Sequence, residues 1–434
     1  MSSTGETEHT PPAFANRTAW RVTAFLGLAA ALNYGDRAAI SSVFPPLQAD
    51  LGIDNVSLGL VGAAFLWSYG LCSPLAGVLA DRFSRNTLVV LSLLLWSIVT
   101  AFTGFANGLV MLVALRIALG LAESLFLPSA IALLGDHHGG ATRGTAMSAL
   151  SVGLSLGMIA GGTTAGYLAE HFGWRSGFWM LGGLGIILAL ASNRYLKSTA
   201  PKTHATTGKP AKPRAALGAS LRYLAQVPTY HLLLFKTAVA NIGTWMFFNW
   251  LPLYFHESFH LSLGAAGFAG TFILSFAAMA GTAAGGWLSD RLAARDPRYR
   301  LLLLSLSYFA ATPFLLIFLG QPSFLMVNLA LAAFSVLRGL GQANENPSLC
   351  EVVPPQFRST AVGFMNLFAT SAGGGGVMIA GLLKGSSGLS PIFASVSIAI
   401  FSAAVALLIG FLLFMRRDIE CAQNHSAPNG AVHL

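Results

Sequence analysis

The chain has 434 residues, of which 54% are apolar and only 9% charged. That charged fraction is too small to cover a soluble protein of this length, and apolar runs of about 20 residues recur, each able to cross a hydrocarbon core. The net charge of +9 would suit a nucleic-acid binder, but its placement argues against that class. With a cytoplasmic N-terminus and alternating spans, Lys and Arg gather on cytoplasmic segments. Only Arg175 and Lys384 fall outside, and Arg37, Arg116, Lys236 and Arg338 lie within spans, which is the positive-inside pattern.

Met1 to Asn16 is polar and lacks the charged-then-apolar order of a cleaved signal, so the first span is expected to direct insertion. Hydropathy predicts twelve helical spans. The first six run Trp20–Phe44, Leu58–Ala80, Thr87–Ala106, Leu109–Leu134, Gly144–Ala169 and Trp174–Leu196. The second six run His231–Phe255, Gly264–Ser289, Leu301–Leu319, Ser323–Leu349, Ser359–Leu383 and Pro391–Met415. The expected organisation is a cytoplasmic tail (1–17), a six-helix bundle (18–196), a cytoplasmic linker (197–228), a second six-helix bundle (229–416) and a cytoplasmic tail (417–434). The linker interleaves Lys202, Lys209, Lys212 and Arg214 with Pro201, Pro210 and Pro213, and has an amphipathic piece near Ser220–Leu224. The tail beyond Arg417 has no apolar pattern and is expected to be disordered.

A repeat joins the halves. Gly77-Val-Leu-Ala-Asp81-Arg82 closes the second span, and Gly286-Trp-Leu-Ser-Asp290-Arg291 closes the eighth, 209 positions later. Arg85 follows the first copy, and Arg295, Arg298 and Arg300 follow the second. Gly77 and Gly286 are expected to let two helix backbones approach closely. Asp81, Arg82, Arg85, Asp290 and Arg291 are expected to form contacts at the cytoplasmic edge that hold in one conformation and break in another.

Ionisable residues within spans are functional candidates because they are costly in lipid. Span one holds Asn33, Asp36 and Arg37; span four holds Arg116 and Glu123; span ten holds Arg338 and Glu345; span seven holds Lys236, expected to snorkel to the edge. The two members of each pair in spans four and ten are seven residues apart. That spacing puts both on one helical face, about 10 Å apart along the axis. Asn344 and Asn346 are placed to satisfy Glu345 locally. Asn249, Asn344 and Asn366 are further cavity candidates, because an amide deep in a span needs partners. Trp67 and Trp250 read more simply as anchors or packing. Gly153, Gly157, Gly161, Gly162 and Gly166, and Gly373 to Gly376 with Gly381, read as packing and hinge surfaces.

Cys72, Cys350 and Cys421 show no metal-ligand spacing, and His137, His138, His256 and His260 read as solvated. No cofactor or metal is expected. An enzyme would need a nucleophile–base set or a metal cluster, and neither is evident. A sensor would add a soluble domain, and no segment is long enough.

The stretch from Gly77 to Arg85 resembles the loop signature of the major facilitator superfamily, and Gly286 to Arg291 resembles its second copy. The resemblance extends over residues 18 to 416. It implies an all-α integral membrane fold of twelve helices in two six-helix bundles rocking about a midplane site. Ser84 and Asn86 depart from the signature and are expected to tune the loop. Asp36 and Arg37 with Arg116 and Glu123 resemble the first-half constellation of the anion:cation symporter branch, which carries sugar acids and organic anions. Tyr69, the stretch Leu119-Gly-Leu-Ala-Glu123 and Gly173-Trp-Arg175 fit that branch too. Asn33-Tyr-Gly-Asp-Arg37 and Gly120-Leu-Ala-Glu123 also resemble Spinster-type lysolipid carriers. Span five lacks the Gly-Pro element of drug/proton antiporters, which makes drug export a minor alternative.

The resulting expectation is a multi-pass inner-membrane transporter, monomeric, working in a lipid bilayer without nucleic acid. It would couple a small anionic substrate to protons, with sodium as the alternative ion. Asn33, Arg37, Tyr69, Arg116, Asn249, Asn344 and Asn366 would bind substrate, with Arg116 as the principal anchor. Asp36, Glu123 and Glu345 would carry protons.

Overall fold

A computed structural model describes residues 17–198 and 217–426, with the side chains of 77, 78, 80–82, 140, 141, 193–198 and 426 outside the description. The N-terminal tail, most of the linker and the side chains of Asp81 and Arg82 therefore lie outside the described residues. The first half comprises α1 (Arg17–Ser42), α2 (Phe44–Leu51), α3 (Asn55–Arg82), α4 (Arg85–Thr103), α5 (Leu109–Ser124), α6 (Phe126–His137), α7 (Gly140–Phe172) and α8 (Trp174–Ser198). A short α9 (Leu217–Ala225) precedes α10 (Pro228–Phe259), α11 (Leu263–Ala293), α12 (Tyr299–Ala311), α13 (Phe324–Gln342), α14 (Glu345–Val352), α15 (Arg358–Ser387), α16 (Leu389–Ile409) and α17 (Met415–Ser426). A tighter turn, Thr312–Leu319, prolongs α12. Among the described residues, ten stretches are long and apolar enough to span a membrane. The two other long helices, α1 and α10, are the ones that carry Asp36 and Arg37, and Lys236, at midspan.

The halves repeat one packing scheme. In the first, α1 lies on α7 and α3 on α5; in the second, α10 lies on α15 and α11 on α13. Small residues set these distances. A Cβ added at Gly157 would sit 2.0 Å from the Ala31 carbonyl, and one at Gly161 2.3 Å from the Gly35 Cα. The glycines four apart on α7 thus form a groove that receives the α1 backbone. On α11 the same work falls to Gly281 and Gly285, whose Cβ atoms would meet Val336 and Leu340 carbonyls at 2.0 and 2.3 Å. The expectation for Gly286 is corrected here. A Cβ there would meet nothing within 4 Å, because one residue is about 100° around a helix and turns the position away from α13.

The halves meet through α3 against α15 and α7 against α11. Away from the chain termini the seam is tight. Gly166 abuts Leu263 and Gly264, Gly162 abuts Gly267, and Gly59 abuts Gly381. Leu263 N–H donates to Glu170 Oε1 at 2.5 Å, and Lys384 Nζ donates to Asn55 Oδ1 at 3.2 Å. Trp67 Nε1 donates to the Ser371 carbonyl at 3.1 Å. Towards the face where the described residues begin at Arg17 and end at Ser426, α7 and α11 part around a cavity of about 810 Å³, lined among others by Met147, Ser151, Ser275 and Thr282. The structure is closed on one face and open on the other.

Two further expectations change. The C-terminal tail is helical through Ser426, because Ile419 and Ala422 follow Met415 at helical spacing and all three are buried. Its Asp418 accepts the Thr229 N–H at 2.9 Å, supplying a partner to the start of α10. His138 is buried, with Nε2 2.8 Å from Thr23 Oγ1 and its ring edge-on to Trp20. It lies at the end of α6, and Gly139 precedes the first turn of α7. The amphipathic piece of the linker is α9, with Ser220, Tyr223 and Leu224 buried.

Candidate functional site

Four helices of the first half bring the charged midspan residues together. α1 carries Asn33, Asp36 and Arg37, α5 carries Arg116 and Glu123, and all five are buried. Arg37 Nε donates to Glu123 Oε2 at 2.8 Å, and its Nη2 donates to Asn33 Oδ1 at 3.2 Å. The guanidinium also lies over the rings of Tyr34, Phe65 and Tyr69, at 4.6, 4.9 and 4.6 Å. α3 thus places Tyr69 beside Arg37, and three aromatic faces keep that charge fixed where lipid would otherwise expel it. Asp36 Oδ2 accepts from Thr100 Oγ1 on α4 at 2.8 Å.

Arg116 is different. It is 2% exposed, yet among the described residues its guanidinium makes no hydrogen bond or ion pair, only a ring contact with Phe178 on α8 at 5.7 Å. Asp36 Oδ1 and Glu123 Oε1 are also buried without a hydrogen-bond partner. Buried polar atoms are normally paired, and an unpaired one costs about 1–3 kcal/mol. With Asn33 Nδ2, four such atoms gather at this charged centre. Arg37 and Arg116 border a cavity of about 10 Å³ together with Gly62, Trp245 and Asn249. Asn249, on α10, anchors its amide to the Trp245 carbonyl at 2.9 Å.

The second half has its own charged cluster, and it is closed. Lys236 is fully buried, so it does not snorkel. Its Nζ donates to Glu345 Oε2 at 2.7 Å and to Gln342 Oε1 at 3.0 Å, over the Tyr308 ring at 5.0 Å. A counter-charge at that depth removes the reason for the ammonium to leave. Glu345 also accepts from Thr237 and from Gln342 Nε2. The continuous helical face expected for Arg338 and Glu345 is broken, because α13 ends at Gln342 and α14 begins at Glu345, although the Glu345 charge still acts on Arg338. Asn344 sits at that break and turns its amide to the Leu340 carbonyl at 3.0 Å, away from Glu345. Arg338 lines the 810 Å³ cavity and reaches only Thr244 Oγ1, at 3.4 Å. Asn366 is exposed on α15 and lines neither cavity.

At the repeated loops, Arg85 pairs with Asp136 at the end of α6. Asp290 is largely exposed and lies 3.5 Å from Arg300. Arg291 stacks on Trp287 at 3.8 Å.

The family model described as Major Facilitator Superfamily matches residues 26–377. The chain belongs to the major facilitator superfamily. It is a transporter of that fold and not an enzyme. It is similar to the probable galactarate/D-glucarate transporter GudP of Bacillus subtilis, with 28% identity covering 65% of this chain and 67% of the relative. The protein of the same name in Escherichia coli is 26% identical, covering 68% of this chain and 71% of the relative. A crystal structure of a bacterial homolog of the human lysosomal transporter Spinster, inward-facing and unoccupied, superposes with a TM-score of 0.73 at 20% identity, over 96% of this chain and 100% of that one. That last likeness concerns the fold.

Reading the sequence missed Thr100, Tyr34 and Trp245 as wall and partners of the charged centre. Thr100 gave no signal, since a single hydroxyl in an apolar span commonly bonds its own helix. Tyr34 was legible, because it lies three residues before Arg37 and shares its helical face.

Proposed function

We propose that this transporter carries a small organic anion of the sugar-acid class, in symport with a proton, by alternating access. The observation that supports this reading is the contrast between Arg37, held by Glu123, and Arg116 beside it without a partner. Arg116 offers the planar fork that a carboxylate takes in bidentate fashion. While Glu123 is ionised, it competes for Arg37. A proton on Glu123 cancels that competition, so that Arg37 can turn to a second oxygen of the same carboxylate. Substrate and proton then favour each other's binding, which is the coupling symport requires. Asp36, held through one oxygen by Thr100, is the second proton carrier in this reading, and Glu345 a third. Asn33, Tyr69 and Asn249 shape the pocket wall, while Asn344 and Asn366 belong to states in which the second half has rotated.

The positive-inside pattern supports cytoplasmic termini and an inner-membrane location, so the 810 Å³ cavity opens to the cytoplasm. Asp81, Arg82, Arg85, Asp290 and Arg291 then act as latches on that face when the cavity opens outward. The protein works as a monomer in this account.

The apolar share of that cavity wall, with Met158, Phe248, Leu274 and Met279, favours a second reading, an amphiphile carrier. Proteoliposomes separate the two. The anion reading expects galactarate uptake driven by an imposed proton gradient and abolished by a protonophore. Uptake of a lysolipid in place of any sugar acid would overturn it. Uptake driven by sodium alone would overturn the proton assignment.

A further inference from the structure

Among the described residues of the second half, Arg338 is a cation held by no ion pair. Lys236 and Glu345 satisfy each other, and both oxygens of Glu345 are engaged. Arg338 feels the Glu345 charge from a distance, with no hydrogen bond or ion pair to it among the described residues. It sits on the wall of the 810 Å³ cavity, and its one hydrogen bond is a long one to Thr244 Oγ1. That hydroxyl already donates its proton to the Ala240 carbonyl at 2.8 Å, so it offers Arg338 only a lone pair. A guanidinium on a cavity wall without a carboxylate partner is a receptor for an anion.

Its position relative to the first-half site gives this a direction. Trp245 lines both the 10 Å³ gap beside Arg37 and Arg116 and the large cavity beside Arg338. Tyr34 lines the large cavity while its ring packs on Arg37. One indole and one phenol thus separate the two cationic stations. The two spaces therefore share Trp245 as a common wall.

Charge points the same way. At midspan Arg37, Arg116, Lys236 and Arg338 face Asp36, Glu123 and Glu345, an excess of one positive charge when all are ionised. One bound proton raises the excess to two. A dianion then leaves the loaded centre neutral, the form that crosses a low-dielectric region at least cost.

We propose that Arg338 is a second anion anchor, and that the substrate class is an elongated dianion, gripped at one end by Arg116 with Arg37 and at the other by Arg338. This rests on the anion reading above and deepens it. The test compares two six-carbon sugar acids that differ by one carboxylate, galactarate and galactonate, by equilibrium binding to the full-length protein in detergent at constant pH. The wild type should hold galactarate at least about tenfold more tightly, the share of one charge-assisted contact. Arg338→Gln should remove most of that preference while changing galactonate affinity less than about twofold. Arg338→Lys, which keeps charge and loses the fork, should fall between them. Arg116→Gln should weaken both acids. A melting curve for each variant verifies folding. Equal wild-type affinity for the two acids, or an Arg338→Gln that weakens both alike, would overturn the second anchor and leave the anion reading standing. A chain that binds neither acid overturns both.

Discussion

The two halves repeat one architecture and treat buried charge in opposite ways. In the second half, Glu345 is saturated by Lys236, Gln342 and Thr237. In the first, Glu123 and Asp36 each keep one oxygen unpaired, and Arg116 makes no hydrogen bond or ion pair among the described residues. A saturated cluster has nothing left to bind with, and it ties α10 to the junction of α13 and α14. An unsaturated cluster is stable only if something else completes it during the cycle. In the proposed reading, binding and most proton traffic fall to the first half, while the second half holds its charge in the Lys236–Glu345 pair and, at Arg338, offers a cation without an ion pair among the described residues.

The largest effect should come from breaking the closed cluster. Glu345→Leu alone strands a buried ammonium, and the expected loss of stability is about 3–5 kcal/mol. The double change Lys236→Met with Glu345→Leu should recover most of it, as read from melting curves. If the double variant were no more stable than the single one, the pair would not be the structural unit described. Next in size is Arg116→Lys, which keeps the charge but loses the fork. It should weaken galactarate binding by about 10- to 100-fold with stability little changed. Unchanged affinity would remove Arg116 from the site.

Much of the fold was legible from apolar period and length alone, and the repeated Gly-x-x-x-Asp-Arg signature located the halves. The first-half site was legible because Arg116 and Glu123 sit on one unbroken helix, where spacing translates directly into a shared face. The same reasoning failed at Arg338 and Glu345 because the helix breaks between Gln342 and Glu345, where Asn344 is a poor helix former. Lys236 was misplaced for a different reason. Its partner lies 109 residues away, and no local pattern reports a tertiary ion pair. Glycine at 286 instead of 285 was a register error of a single residue.

Smaller effects test the closed face. Glu170 reaches from α7 to the first N–H of α11, across the seam between the halves. Glu170→Gln should weaken that contact by about 1 kcal/mol and populate opening on that face several-fold. Spin-label distances between the α7 and α11 ends would register it, and an unchanged distribution would remove Glu170 from the gate. The smallest effect is expected at Asp50. Hydrogen bonds from Arg175 and Trp174 hold its carboxyl below the usual carboxylate range. A depressed value contributes stability that is full above the unfolded value, about 4, and is lost as pH falls through the folded one. The group is 44% exposed, so screening limits the contribution to about 0.5 kcal/mol. Asp50→Asn should therefore lower the melting temperature slightly at pH 7 and not at pH 3. An equal difference at both would exclude the ion pair as its cause.

The central claim is that a proton on Glu123 frees Arg37 for the substrate. Galactarate affinity measured against pH, in the wild type and in Glu123→Gln, tests it most directly. The wild type should lose affinity as pH rises through the titration of that carboxyl, by up to about tenfold per unit for one coupled proton. Glu123→Gln, which keeps the protonated form's shape at every pH, should bind at the wild type's low-pH affinity with a flat profile. A Glu123→Gln variant that retained the wild-type slope would place the coupling proton elsewhere and contradict the account.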